Sequence, residues 1–322
     1  MRIQVQNAAG APLPITRAMW DAAAARAGET GHEVSFGETA EEFAVAMAQA
    51  EAVVGDKDVL RPLLPCAAPK LRMIFICNAG VETLAPFDWL PAGVALLNNR
   101  GTHRVKAGEF GIMALLMLVN RVPEMVTHQR AGQWVPLWGT AAAGRRITVV
   151  GLGTLGGATA EQAARLGMRV TGVRAHPAPH PWCERVVGTE DLDRVLPETE
   201  FLVLACPLTP ETVGLLDRRR VALLPRGAGV VNIGRGRLID QEALCERLNA
   251  GELSAVLDVV DPEPLPPEHR LWRAPNVVIS PHTGTDDPNT YNTRSLDIFF
   301  DNVRAWREGR EFPTRVDVGR GY

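Results

Sequence analysis

Residues 149–156 read Val-Val-Gly-Leu-Gly-Thr-Leu-Gly, and no other stretch of this 322-residue chain restricts its fold as much. The apolar run RRITVV leads into the glycines, and the alanine-rich run TLGGATAEQAARLG leads away from them. A strand, a tight turn and a helix in that order form the unit that opens a dinucleotide-binding sheet. Each glycine then has a task. Gly151 permits the turn, Gly153 lets the backbone approach a pyrophosphate, and Gly156 lets helix and strand pack closely. Thr154 and Leu155 fall at the helix N-terminus, where unpaired N–H groups and the positive end of the helix dipole meet the phosphates.

The next strand, MRVTGV, ends at Arg174. An acid about 20 residues past the glycines would grip the ribose hydroxyls of NAD, yet no Asp or Glu occurs between Gln162 and Cys183. A planar, permanently charged guanidinium suits the 2′-phosphate of the alternative cofactor. NADP(H) is therefore favoured over NAD(H), and His176 is placed to add a contact.

The rest of the chain supports this frame. Over the first hundred or so residues, RIQVQN, HEVSFG, AVVGD and LRMIFICNAG read as strands, with helices over ITRAMWDAAAARAG and TAEEFAVAMAQA. Short apolar runs ended by turn residues suit buried parallel strands. Residues 102–121 predict a longer helix, apolar over a wide face, which suits packing on another subunit or between two domains. Residues 131–146 break the pattern, and their Trp134 and Trp138 are expected to pack rather than to reach a substrate. A second series of strands follows: RRITVV, MRVTGV, FLVLAC, VVNIG, AVLDVV and NVVIS. Thr209 before Pro210 predicts a helix start, and Asp240 and Gly251 bracket another helix. The final helix, NTRSLDIFFDNVRAWREG, returns to the first domain. The fold class is α/β, with two doubly wound parallel-sheet domains, one Rossmann-type and one flavodoxin-like. Residues 99–289 form the dinucleotide-binding domain, and residues 1–98 plus 290–322 form a substrate (lid) domain.

The net charge of −3 offers no electrostatic footprint for nucleic acid or an anionic membrane. Five scattered cysteines without CxxC or CxxH spacing argue against a disulfide framework or a structural metal, and for a reducing compartment. The start MRIQVQN lacks the pattern of a signal peptide, and the apolar stretch 111–119 is too short to span a bilayer. A cytoplasmic protein is expected.

In doubly wound sheets, ligands bind outside the carboxyl ends of the strands. After FLVLA come Cys206 and Pro207. After VVNIG comes Arg235. In and after AVLDVV come Asp258, Asp261 and Glu263. After NVVIS comes His282. A histidine can exchange a proton near neutral pH, a neighbouring carboxylate favours its imidazolium form, and an arginine can hold a carboxylate in a two-pronged fork. Beside a nicotinamide, this is equipment for hydride transfer to a 2-keto acid. The residues alone leave open whether Asp261 or Glu263 partners the histidine.

With these residues in place, the chain resembles the D-isomer-specific 2-hydroxyacid dehydrogenases over nearly its whole length. The motifs are NAGVE at 78–82, NNRG at 98–101, GEF at 108–110, GLGTLG at 151–156, CPLTPET at 206–212, NIGRG at 232–236, LDVVDPEPLP at 257–266, SPHTG at 280–284 and the ending VDVGRGY. The resemblance implies that Arg235 binds the substrate and His282 is the acid/base, with Glu263 as its orienting partner. It implies that the backbone of Ala79, Gly80 and Val81 holds the substrate carboxylate. On the cofactor side it implies Cys206, Pro207 and Thr212 beside the adenosine, Ile233 and Gly234 flanking the nicotinamide, and Asp258 near the carboxamide. A homodimer, a closing cleft and the D-alcohol are further implications. Arg174 departs from the family's usual acid and resembles the glyoxylate/hydroxypyruvate reductase-like branch. Formate dehydrogenases of the same superfamily look less similar, because they lack an acid at position 263. Two other readings stand beside this one. The first is an NAD-dependent dehydrogenase of a larger 2-hydroxy acid, for which only Arg100 and Arg104 offer basic groups near residues 79–81. The second is a non-catalytic NAD(P)H-sensing protein.

Overall fold

The structure, a computed structural model, describes residues 1–319. Residues 320–322, which close the VDVGRGY ending, lie outside the described residues. The chain divides into two compact units, Met1–Thr102 with Asp287–Tyr322, and His103–Asp286.

The first unit contains β1 (Arg2–Gln6), α1 (Arg17–Ala27), β2 (Glu33–Gly37), α2 (Ala40–Met47), β3 (Ala52–Gly55), α3 (Lys57–Leu60), β4 (Met73–Ile76) and β5 (Ala95–Asn98). Its strands pair in the order β2-β1-β3-β4-β5, all parallel, which is the flavodoxin-like order. Every residue of β3, β4 and β5 is buried, so these strands read as unbroken apolar runs rather than as alternation. Local signals set the helix starts. Thr16 accepts from Met19 N, and Thr39 and Glu42 form a reciprocal capping box at α2.

The second unit contains α4 (Arg104–Val119), α5 (Val122–Arg130), β6 (Arg146–Val150), α6 (Thr154–Arg165), β7 (Arg169–Val173), β8 (Arg185–Val187), α7 (Leu192–Val195), β9 (Phe201–Leu204), α8 (Arg218–Leu223), β10 (Ala228–Asn232), α9 (Gln241–Asn249), β11 (Leu253–Leu257) and β12 (Val277–Ile279). The strand order is β12-β11-β10-β9-β6-β7-β8, again parallel throughout. This is the Rossmann order with one strand added, and it reverses between β6 and β9, where a ligand crevice forms. The chain then returns to the first unit as α10 (Tyr291–Arg307), whose Phe299 and Phe300 pack on Trp20 of α1.

Several expectations need correction. The strands β5 and β8 were not anticipated. The segment after Thr209 is a turn and not a helix: Thr212 N and Val213 N both donate to Thr209 O, and Gly214, at φ +63°, ends the turn. Helix α4 packs one face inside its own unit, on α6 and on the sheet, and leaves Met113 and Leu116 exposed. A Cβ on Gly108 would stand 3.4 Å from Ala158 O, and one on Gly229 of β10 would stand 2.8 Å from Leu118 Cδ1. Trp134 and Trp138 do not pack within the chain, being 97% and 80% exposed.

The α4–α6 contact is tightest at Gly111, where a Cβ would fall 2.2 Å from Thr159 Oγ1 and 2.9 Å from its Cβ. Thr159 is fully buried and its hydroxyl bonds Leu155 O, so it has nowhere to move. Gly111→Ala should therefore lower the unfolding free energy by about 1–3 kcal/mol in urea titrations. Adding Thr159→Ala should recover part of that loss, a coupling measurable as a double-mutant cycle.

Candidate active site

The glycine turn after β6 is shaped as the spacing predicts. Gly151 has φ +90°, and a Cβ there would strike the backbone of Cys206 at 2.6 Å. A Cβ on Gly156 would stand 1.8 Å from Gly151 O. Gly153 differs: no heavy atom lies within 4 Å of where its Cβ would be. It also occupies the N-cap of the 12-residue α6 without a side-chain cap. The cradle is thus crowded beneath and open above, with bare N–H groups facing out, and a dinucleotide pyrophosphate fits it. Thr154 and Leu155 begin the helix and are half-buried.

The flanking residues follow. Cys206 is buried, and burial pushes its thiol up to about 12, so it serves as a small apolar wall and not as a nucleophile. Thr212 Oγ1 donates to Pro207 O at 2.7 Å, which fixes the CPLTPET turn. Arg174 N bonds Val187 O at 3.1 Å, pairing the end of β7 with β8. Among the described residues no acceptor holds the half-buried Arg174 guanidinium, and His176 is exposed.

The Arg235 loop after β10 is held by Asn232, to which the sequence reading assigned no task. Asn232 Nδ2 donates to Arg235 O at 2.9 Å, and Gly234 N donates to Asn232 Oδ1 at 3.1 Å. Ile233 is buried, and a Cβ on Gly234 would meet Cys206 O at 2.9 Å. Arg235 Nη1 donates to Gly234 O at 2.8 Å. The following Gly236 lies flat on the next loop, since its Cβ would fall 1.9 Å from Val260 O.

That next loop settles which acid meets the histidine. Gln241 brackets the backbone of Asp261, with Asp261 N donating to Gln241 Oε1 at 3.0 Å and Gln241 Nε2 donating to Asp261 O. Glu263 takes His282. Its Oε2 lies 2.7 Å from His282 Nδ1, and its Oε1 accepts from Val260 N at 3.1 Å. With Nδ1 committed to the carboxylate, Nε2 is the nitrogen left to exchange a proton. His282 is 46% exposed and Glu263 37%, so the pair is accessible to a substrate.

Asp258 is 2% exposed, and its role inside the chain is to build the turn that carries His282. Its Oδ1 accepts from Ser280 Oγ at 2.6 Å, Thr283 N at 3.2 Å and Gly284 N at 2.9 Å. Its backbone O accepts from His282 N at 2.9 Å. Ser280, the first residue of the SPHTG motif, had likewise been given no task. Its position two residues before the histidine was the available signal.

Ala79, Gly80 and Val81 belong to the first unit. Their turn is tied down by asparagines: Asn98 Nδ2 donates to Ala79 O at 3.0 Å, and Asn99 N to Asn78 O at 3.1 Å. Asn78 in turn bridges Asp56 and Lys57 N. The N–H groups of residues 79–81 donate to no acceptor among the described residues.

Known proteins give this arrangement its family. Residues 112–284 match the family model described as D-isomer specific 2-hydroxyacid dehydrogenase, NAD binding domain. The glyoxylate reductase/hydroxypyruvate reductase of Mus musculus is 32% identical over 265 residues, 80% of each chain. The glyoxylate/hydroxypyruvate reductase B of Escherichia fergusonii is 33% identical over 282 residues, 84% of this chain and 86% of that one. Among solved structures, a D-isomer specific 2-hydroxyacid dehydrogenase from Xanthobacter autotrophicus Py2 in complex with NADPH and MES superposes with a TM-score of 0.81. It is 28% identical, with 99% of each chain covered. An NADPH-dependent glyoxylate/hydroxypyruvate reductase from Sinorhizobium meliloti in complex with NADP and sulfate has a TM-score of 0.77 and 26% identity, covering 100% of this chain and 99% of that one. The protein is an NAD(P)-dependent dehydrogenase. It belongs to the D-isomer specific 2-hydroxyacid dehydrogenase family.

The two exposures within the glycine turn separate binding from folding. Gly153→Ala, pointing into open space, should leave the melting temperature nearly unchanged while weakening NAD(P)H binding in a fluorescence titration. Gly156→Ala, driven into Gly151 O, should lower the unfolding free energy by about 1–3 kcal/mol in the absence of cofactor.

Proposed function

We propose that the enzyme reduces a small 2-keto acid of the glyoxylate or hydroxypyruvate kind to the D-2-hydroxy acid, with NADPH favoured over NADH. The observation that carries this reading is the 2.7 Å bond between His282 Nδ1 and Glu263 Oε2. It orients a proton-exchanging histidine on the sheet edge that also bears the glycine cradle and Arg235. Bound NAD(P)H supplies the hydride to the keto carbon. His282 Nε2 delivers the proton to the keto oxygen, and Glu263 keeps the ring in place and stabilises its charged form. Arg235 holds the substrate carboxylate and carbonyl in a fork, and the N–H groups of the 79–81 turn, which donate to no acceptor among the described residues, suit an anionic carboxylate.

The relatives named as glyoxylate and hydroxypyruvate reductases support the substrate class. The missing acid and the unpaired Arg174 support NADPH, as do relatives described in complex with NADPH or NADP. A larger phosphorylated substrate is less well served, because Arg104 is engaged by Glu161 at 2.7 Å and Arg100 by Pro313 O at 3.1 Å. The exposed Trp134 and Trp138, with Met113 and Leu116 on α4, support a homodimer as the working form. Five free cysteines suit the cytoplasm.

Initial rates with glyoxylate, hydroxypyruvate and phenylpyruvate, each with NADPH and NADH, test the reading. His282→Ala should lower kcat by about a hundred- to ten-thousand-fold while leaving the cofactor dissociation constant close to wild type. Equal loss of both would show that the histidine binds rather than transfers a proton. Arg174→Asp should reduce the preference for NADPH over NADH by about tenfold or more, the worth of a charge-assisted hydrogen bond. An unchanged ratio would remove Arg174 from the cofactor site.

A further inference from the structure

The loop between β7 and β8 packs against α6, and His180 meets the helix at Gly157. A Cβ built on Gly157, in the first turn of α6, would lie 3.4 Å from His180 Nε2 and 3.5 Å from Leu152 O. The other ring nitrogen faces its own loop, where His180 Nδ1 accepts from Trp182 N at 3.4 Å and has Cys183 Sγ at 3.7 Å. The neutral ring therefore carries its hydrogen on Nε2, the edge turned to Gly157.

The charges around this half-buried ring are mostly positive. Arg174 approaches from the end of β7 and Arg104 from α4. Glu161 of α6 is shared by Arg104 at 2.7 Å and Arg165 at 2.9 Å, and Arg165 lies over the Trp182 ring. The Cys183 thiol stays neutral, pushed up to about 11 by burial. Burial first, then Arg174 and Arg104, hold the His180 imidazole below its ordinary value. A histidine kept poor in protons beside a guanidinium that no carboxylate engages among the described residues is matched to a dianion.

We propose that His180 is a second ligand of the cofactor's 2′-phosphate beside Arg174 and takes up a proton when that phosphate binds. The preference for NADP(H) over NAD(H) is then set partly by pH. This rests on the NADP(H) reading of Arg174 above. The sign follows from linkage. A phosphate between the two side chains offsets the repulsion from the arginines and raises the histidine's pKa in the complex. Between the free and bound values, binding takes up a proton, and affinity falls as pH rises through that window. The phosphate itself loses charge below about pH 6, an opposite effect that a His180 variant retains. NAD(H), lacking the phosphate, shows neither.

The test is calorimetry with NADPH and NADH at about pH 6 and about pH 8, in buffers of different ionisation enthalpy, for wild type, His180→Gln and Arg174→Asp. Wild type should take up a fraction of a proton with NADPH alone and bind it about tenfold more weakly at the higher pH, as a pKa rise of about one unit requires. His180→Gln should abolish the proton uptake and the fall in affinity with rising pH, keeping only the phosphate's opposite slope, with NADH affinity unchanged. Tight NADPH binding without proton uptake, or a fall in affinity with rising pH retained in His180→Gln, overturns the role of His180 and leaves Arg174 standing. No NADPH preference in wild type, with Arg174→Asp silent, overturns the NADP(H) reading and His180 with it. Should His180→Gln fail to fold, the ring resonances of wild type decide: the His180 midpoint must rise with NADP⁺ and not with NAD⁺, and an unmoved midpoint sinks the proposal.

Discussion

The carboxylate of Asp258 is the interaction on which the His282 edge depends. Burying an acid costs several kcal/mol unless its oxygens find donors. Here one oxygen takes a hydroxyl and two backbone N–H groups from the 280–284 turn, while the Asp258 carbonyl takes the N–H of His282. The turn has no regular structure of its own and would otherwise bury unpaired donors. His282 sits at φ +54°, a conformation that costs a residue with a side chain about 1–2 kcal/mol. It is tolerated because hydrogen bonds fix the backbone on both sides of the ring. The ring then points to Glu263, itself fixed by Val260 N, so the histidine's direction is set by two loops, those after β11 and β12, rather than by its own rotamer preference.

The second constraint is the close approach of backbones along the same edge. Gly151 lies on Cys206, Gly234 on Cys206 O, and Gly236 on Val260 O, each too near for a Cβ. These contacts join the loops after β6, β9, β10 and β11 into one surface. A side chain at any of them would separate two loops and shift groups that must be aligned to a fraction of an ångström for chemistry. Gly153 is the informative exception, since it has room for a Cβ on the protein side and leaves that room facing outward.

Much of this was legible in the sequence because its causes are local. A strand, a glycine turn and an alanine-rich helix are adjacent in the chain, and so are Thr39 and Glu42 of the capping box. The polar residues of the site follow strands, so listing what comes after each apolar run found Arg235, Glu263 and His282. The failures were of three kinds. β5 and β8 were passed over although β3, β4 and β9 are equally short and β12 has three residues; β8 has no fully buried residue and so no apolar run to read. Thr209-Pro210 carries a helix-start signal, but the segment ends at Gly214 before a helix can form. Trp134 and Trp138 were expected to pack because they are large and apolar, yet nothing within their own chain covers them.

By itself the sequence determined the two doubly wound sheets, the glycine turn after β6 and the polar groups that follow the strands of the second sheet. Each of these follows from the order and spacing of residues along one strand-turn-helix unit at a time. Only the tertiary structure decided between Asp261 and Glu263, because it sets the Glu263 carboxylate on His282 Nδ1 while Gln241 holds Asp261 by its backbone. The tertiary structure also showed Asp258 to be the support of the histidine turn, and set His180 against the first turn of α6. Those facts depend on which side chains meet across strands that are neighbours in the sheet and distant in the chain. No local pattern records that pairing.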